Sequence, residues 1–233
     1  MVAAWKLAAT AIGKDIILPP PERVLSVFVG LAGSARFLSA FWATALRGLA
    51  GFGLSMVLGS AIGFASGSSP RFARFVSPVM TVIKATPVLA VILLALIWFP
   101  TGFVPVFSAV VMAMPVVAAD VAAGISSTDR RLLEMAAAYG VSPIDRALHV
   151  RLPYAVPHFV AGARNALGLS WKVVVAGEVL SQPARALGTG MQTARIMLET
   201  AEVFAWAAAG VLLCAVTDAL FGLAMRKLSW PTR

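Results

Sequence analysis

No charged residue lies between Arg47 and Arg71, and none lies between Ala85 and Ala119. An α-helix needs roughly 20 apolar residues to cross the hydrocarbon of a bilayer, so the first stretch fits one crossing. The second is long enough for more than one, with a break near Phe99-Pro100-Thr101-Gly102. The 233 residues are 60% hydrophobic and 12% charged, against about 25% charged for a soluble domain, which excludes a soluble globular protein. Apolar sequence suffices for about five spans, and too little remains for a separate soluble catalytic domain. Period-2 alternation of the barrel type is missing, so backbone polar groups must be satisfied within helices. The expected fold is an all-α membrane bundle of five to six transmembrane helices.

The pattern places helices over 42–66, 76–99 and 103–124. A fourth apolar region, 154–180, contains Arg164, Lys172 and Glu178, and a fifth, 203–225, contains Asp218; both are spans with a polar face. Before them, Lys6 and Lys14 flank only seven uncharged residues and Leu18-Pro19-Pro20-Pro21 stops any helix, so 1–18 is expected as a short or incomplete first helix rather than a signal peptide. Residues 22–40 resemble an interfacial amphipathic segment, with Val24, Leu25, Val27, Phe28 and Leu31 on one side. The expected domain plan is an N-terminal part over 1–40, a transmembrane core over 41–225 and a cytoplasmic tail over 226–233.

Nineteen Lys and Arg against ten acidic residues give a net charge of +9. In so apolar a chain this reads as loop charge facing the cytoplasm rather than a nucleic-acid patch. One set of loops holds Arg71, Arg74, Arg130, Arg131, Arg146, Arg151, Arg226, Lys227 and Arg233, and the opposite set holds Arg23, Arg36, Arg185 and Arg195. The richer set is expected in the cytosol, which puts the 125–153 loop and the C-terminus there. The lone Cys214 forms no intrachain disulfide and reads as a small core residue.

The 125–153 loop has the punctuation of two short helices. The first begins near Asp129 and should stop at Gly140, the residue type suited to a left-handed helix terminus. Ser142 starts the second as a capping hydroxyl, Pro143 fits the first helical position, and Asp145 stands three residues on. Leu152-Pro153 is expected to close it. A helix of about nine residues exposing Ile144, Ala147 and Leu148 between Arg146 and Arg151 is too short to be stable alone and needs a surface to dock into.

Glu134-x-Ala136-x-x-x-Gly140, followed after nine residues by Val150-x-Leu152-Pro153, resembles the EAA loop of the membrane subunits of bacterial ATP-binding-cassette importers, with Met135 and Val150 in place of the usual Ala and Ile. Further matches are Leu18-Pro19-x-Pro21, Ala85-Thr86-Pro87-Val88-Leu89-Ala90 with Ile97-Trp98-Phe99, Trp171 with Glu178, and Gly188-x-Gly190. Together these resemble the nitrate, sulfonate and taurine branch of such permeases. The resemblance implies a type I importer permease in the inner membrane, a second copy of the chain, two cytoplasmic ATPase subunits and a periplasmic solute-binding protein. It also implies that Gly140 allows the turn between the loop helices and that the following segment, with Ser142, Pro143, Ile144, Leu148, Leu152 and Pro153, is the coupling helix seated on the ATPase. The solute implied is a small anion such as a sulfonate, taurine or nitrate, although related permeases also carry neutral or cationic organic solutes.

No cofactor is expected in this chain. Gly13-Lys14 is followed by Asp15 and preceded five residues earlier by Ala8, so the phosphate-cradling G-x-x-x-x-G-K-[ST] loop is absent and ATP with Mg belongs on a partner. His149 and His158 read as structural rather than as metal ligands. Arg164, Trp171 and Glu178, spaced by sevens, stay within about 40° on one helical face. Charges in lipid are costly, so this face, bordered by Lys172, should point into the bundle or a watery translocation pathway. Ion pairing with Asp120 or Asp218 is the structural alternative. Lys84 is a further pathway candidate or a snorkelling lysine. Ser55, Gly59, Gly63 and Gly67 recur every four residues, the small-x-x-x-small pattern of close helix packing, within the chain or against a second copy. The competing functional class is a self-contained carrier or channel that uses intramembrane charges.

Overall fold

The structure, a computed structural model, describes residues 2–226. Of the tail expected over 226–233, Arg226 is the last residue of a helix, and 227–233, with Lys227 and Arg233 of the orientation count, lie outside the described residues. The chain order is α1 (Val2–Ile12), α2 (Pro21–Ala32), α3 (Ala35–Ser68), α4 (Pro70–Ala85), α5 (Val88–Trp98), α6 (Val104–Ser126), α7 (Arg130–Ala138), α8 (Pro143–Arg146), a π-helical turn (Ala147–Arg151), α9 (Leu152–Ser181), α10 (Leu187–Ile196) and α11 (Thr200–Arg226). No strand occurs among the described residues.

α3, α6 and α11 are each long and apolar enough to cross a membrane, and the bent pair α4–α5 makes a fourth candidate. α9 has 30 residues, roughly 45 Å at 1.5 Å per residue, and carries the expected polar side chains. The seams between helices fix their directions. A Cβ on Gly59, Gly63 or Gly67 would lie 2.6 Å from Val117 Cβ, Ala118 O or Ile125 Cβ, respectively. Each step along α3 is thus matched by a forward step along α6, so the two run parallel and the chain between them must return. α9 meets α6 in the opposite sense, Gly124 against Ala155 and His158, and Gly162 against Asp120. α11 in turn runs against α9 through Trp171–Thr217 and Arg164–Asp218. By these directions, α11 ends at the same end of the second unit as the 127–142 segment.

Three expectations need correction. The helix expected over 76–99 is two helices, bent by 98° at the break. Pro87 is the cause, because its ring pushes the preceding residue out of the helical region, and Thr86 sits at φ −73°, ψ 126°. The amphipathic segment expected over 22–40 ends at Ala32, and 35–40 belong to α3, which starts earlier than the residue 42 expected. On α2, Val24 is buried while Leu25 is exposed, about 100° away around the axis, so Leu25 leaves the inward stripe. The third correction is at Leu152-Pro153, which does not close the loop helix. The backbone runs from α8 through the π turn into α9, with the Leu152 N–H donating to the Ala147 carbonyl five residues back. The wider turn relieves the clash that a Pro153 ring would make with the carbonyl four residues earlier in an α-helix.

The described residues form two compact units, one of residues 2–50, 89–108 and 171–217, the other of 51–88, 109–170 and 218–226. In the second, Ala113, Val117, Val121, Ile125, Ala155 and Ala166 form a closed core, flanked by Phe52, Met56, Phe64, Phe159 and Leu169. In the first, Phe37 stacks on Trp206 with ring centroids 5.0 Å apart, and a Cβ on Gly190 would sit 2.5 Å from the other side of that indole.

Candidate functional sites

Local rules fix the loop between α6 and α9. Asp129 caps α7 by accepting from the Arg131 N–H at 2.8 Å. Arg130 pairs with Glu134 one turn on, also at 2.8 Å. At the other end, Gly140 takes φ +71°, the Val141 N–H donates to Ala136 O and the Gly140 N–H to Ala137 O. This six-to-one and five-to-two pairing is the Schellman motif, which satisfies the Ala136 and Ala137 carbonyls at the end of α7. Ser142 then accepts from the Asp145 N–H at 3.1 Å and donates to Asp145 Oδ2 at 2.7 Å, with Pro143 at the first helical position. Ala136 is the buried side chain of α7. Tyr139 is 83% exposed and Ile144 71%, with Met135, Leu148 and Leu152 also exposed, so a rigid turn holds apolar groups out of the chain.

A second cluster is buried in the first unit. Glu178 is 0% exposed. Arg47 Nη1 donates to its Oε1 at 2.7 Å, Thr44 Oγ1 lies 2.9 Å from both carboxylate oxygens, and the Gly188 N–H donates to Oε2 at 3.1 Å. Thr44 Oγ1 also accepts the Leu187 N–H at 3.0 Å. Leu187 and Gly188 begin α10, so a carboxylate from α9 caps that helix where its unpaired N–H groups favour negative charge. A Cβ on Gly188 would fall 2.5 Å from Glu178 Cβ, so only glycine allows this approach. Arg47 Nη1 additionally reaches the Arg185 carbonyl at 2.9 Å. Trp171, 3% exposed, donates from its indole to Thr217 Oγ1 at 2.8 Å and lies against Gly48.

The expected face of Arg164, Trp171 and Glu178 is therefore divided. Trp171 and Glu178 are buried in the first unit. Arg164 belongs to the second unit, where its Nε pairs with Asp218 Oδ1 at 3.1 Å, the second of the two partners weighed from sequence. Asp120 presses on Gly162 instead, its Oδ2 buried without a hydrogen-bond partner among the described residues. Lys172 is exposed. Lys84 borders a cavity of about 210 Å³ in the second unit, together with Ser66, Ser77, Met80, Pro115 and Ala119. Ser55 is buried with its hydroxyl on Gly51 O at 2.7 Å, and it extends the Gly59, Gly63, Gly67 seam against α6 of the same chain.

Sequence reasoning missed Thr44, Arg47, Gly48 and Thr217. Arg47 is visible as the last charge before an uncharged stretch, but its partner stands 131 residues away.

Residues 55–230 match the family model described as binding-protein-dependent transport system inner membrane component. The chain is similar to the taurine transport system permease protein TauC of Escherichia coli, 29% identical over 230 residues, covering 96% of this chain and 82% of that protein. Two proteins named as aliphatic sulfonates transport permeases, SsuC, are also similar. The one from Escherichia coli is 32% identical over 203 residues, 86% of this chain and 76% of its own, and the one from Bacillus subtilis is 28% identical over 236 residues, 98% and 83%.

Proposed function

Because this chain belongs to the family of binding-protein-dependent transport system inner membrane components, and is a permease subunit of an ATP-binding-cassette importer, we propose that it carries a small sulfonate-like anion and is driven through the 127–142 loop and the helix after it. The observation that carries the coupling role is the exposed, pre-ordered apolar surface of Tyr139, Ile144 and Leu148. A soluble loop gains nothing from holding such side chains in water, whereas a docking element presents them ready-made, with little ordering entropy left to lose on binding. The partner is a cytoplasmic ATPase subunit that binds ATP and Mg, since the chain has no phosphate-binding loop of its own. Two copies of the chain, two ATPases and a periplasmic solute-binding protein complete the transporter, with the C-terminus in the cytosol.

The anion follows from the names of the similar permeases and from an excess of nine positive charges. Of the residues considered for the pathway, Lys84 at the rim of its cavity is the one placed to meet a solute, with Lys172 exposed nearer the middle of α9. Trp171 and Glu178 act as the frame that holds α3, α9 and α10 together, and Arg164 with Asp218 ties α9 to α11.

The test is ATP hydrolysis by the complex reconstituted in liposomes. The chain alone should hydrolyse none, and the full complex should be stimulated when solute-loaded binding protein is added outside. Solute uptake by the chain alone under a proton gradient would identify a self-contained carrier and refute the reading.

A further inference from the structure

The first unit contains a second cavity, of about 190 Å³, on which the buried cluster does not draw. Its lining includes Arg36 from the first turn of α3, Ser39 one turn on, Arg185 from the turn before α10, Thr189 and Gly190 from α10, and Trp206 from α11. The volume equals that of about six water molecules, enough for the head group of a small solute.

Charge makes this hollow unusual. Among the described residues, neither Arg36 nor Arg185 has a carboxylate within 4 Å. Arg47, which bonds the Arg185 carbonyl, spends its own charge on Glu178. The nearby carboxylate of Glu202 takes the Trp206 indole N–H at 3.0 Å, and the indole itself is buried, so it backs the hollow rather than opening into it. Two guanidinium groups with planar donor forks, paired with no carboxylate among the described residues, thus stand over the hollow, a donor set that matches an oxyanion. The backbone below them is held still. Thr189 Oγ1 donates to Pro183 O at 2.8 Å and Leu187 is tied to Thr44, so the 182–189 turn does not have to order itself on binding.

We propose that the Arg36–Arg185 hollow is a receiving site for the sulfonate, or like oxyanion, of the transported solute, the two arginines gripping the head group. The inference rests on the reading of the chain as a permease for an anion and deepens it by naming the groups that meet the solute. A lipid phosphate offers similar oxygens, and the experiment separates the two sources.

The full chain is placed in nanodiscs of zwitterionic lipid with Cys214→Ala, and Ser39→Cys supplies a single thiol in the hollow. Labelling rates are compared for sulfonatoethyl methanethiosulfonate, which carries the proposed head group, and for its trimethylammonioethyl analogue. The anionic reagent should react about fivefold faster per arginine than the cationic one, and soluble ethanesulfonate should slow it. Arg36→Gln with Arg185→Gln should bring the two rates together, and Arg36→Lys with Arg185→Lys should restore most of the preference, which a merely structural role for the arginines would not do. Equal rates in the native and Gln variants would overturn the proposal. So would protection by phosphatidylglycerol in the disc with none from ethanesulfonate, the signature of a lipid site. An unmutated complex that failed to couple ATP hydrolysis would instead refute the transport reading and leave the labelling ratio as found.

Discussion

Gly140 isolates one physical effect in the coupling loop. Its φ of +71° belongs to the left-handed region, and a Cβ added there would meet nothing within 4 Å. A side chain at this position is therefore penalised by backbone conformation alone, about 1–2 kcal/mol for alanine and about 2 kcal/mol or more for a β-branched residue. Asparagine, which tolerates the same region, should cost least. Since 1.4 kcal/mol is a factor of ten, Gly140→Val should raise the open fraction of the turn roughly 30-fold. The readout is hydrogen exchange at the Val141 amide, which donates to Ala136 O at 2.9 Å only while the turn is closed. Exchange should quicken in the order Asn, Ala, Val, and the melting temperature in detergent should fall by no more than this backbone penalty, because the exposed residue gives up no packing. Retention of the ATPase on an affinity column should fall in the same order. A Val variant that exchanges like the native chain, or an Asn variant as damaged as Val, would refute the reasoning.

Gly63→Ala should destabilise the α3–α6 seam by about 1–3 kcal/mol, read as a lowered melting temperature, because its Cβ falls 2.6 Å from the Ala118 carbonyl, which cannot yield as a side chain could. Gly53→Ala on the same helix meets nothing within 4 Å and should be neutral or stabilising by up to about 1 kcal/mol, so equal losses in the two variants would discredit the packing account. Glu178→Ala strands a half-buried guanidinium and the Gly188 backbone N–H and should cost about 3–5 kcal/mol, with Glu178→Gln milder; denaturation in mixed detergent measures both, and Arg47→Met should rescue much of the Ala variant. Thr217→Val removes the acceptor of the Trp171 indole and should cost about 1–3 kcal/mol, accompanied by a change in tryptophan fluorescence that Thr217→Ser would not produce.

The loop was legible in the sequence because its rules act over a few residues. The Asp129 and Ser142 caps, the proline at 143 and the glycine at 140 each announce a backbone geometry that their own neighbours complete. Pro87 carried the same kind of information, and the apolar run on both sides of it concealed the bend. The regular spacing of Arg164, Trp171 and Glu178 gave a true helix face, but the face does not determine what packs on it. Asp218 meets the first, Thr217 the second and Arg47 the third, and each partner comes from an element distant in the chain. The π turn at 147–151 has no signature in residue type, since Ala, Leu, His, Val and Arg all fit an ordinary helix. The small-residue seam declared close packing from sequence and left its partner open, because glycines state how near a neighbour lies and not which neighbour it is.

The π turn makes the two ends of the docking element mechanically unequal. On the side of α7 the helix is interrupted at Gly140, and only a turn closed by two backbone hydrogen bonds joins the two helices. On the side of α9 it is fused, with no coil between Ile144 and the point where Ala155 and His158 bear on Gly124 of α6. A partner that grips Ile144 and Leu148 and shifts them would find α7 left behind, while the foot of α9 follows like the long arm of a crank. The strain then arrives first at the Gly124 contact, where a Cβ would already be only 2.8 Å from His158 Cβ and no slack remains to absorb it. If the partner grips this element as proposed, the weld after α8 is the part that would turn grip into motion, and a flexible Gly-Ser insertion there should leave binding of the partner intact while disconnecting it from the membrane helices.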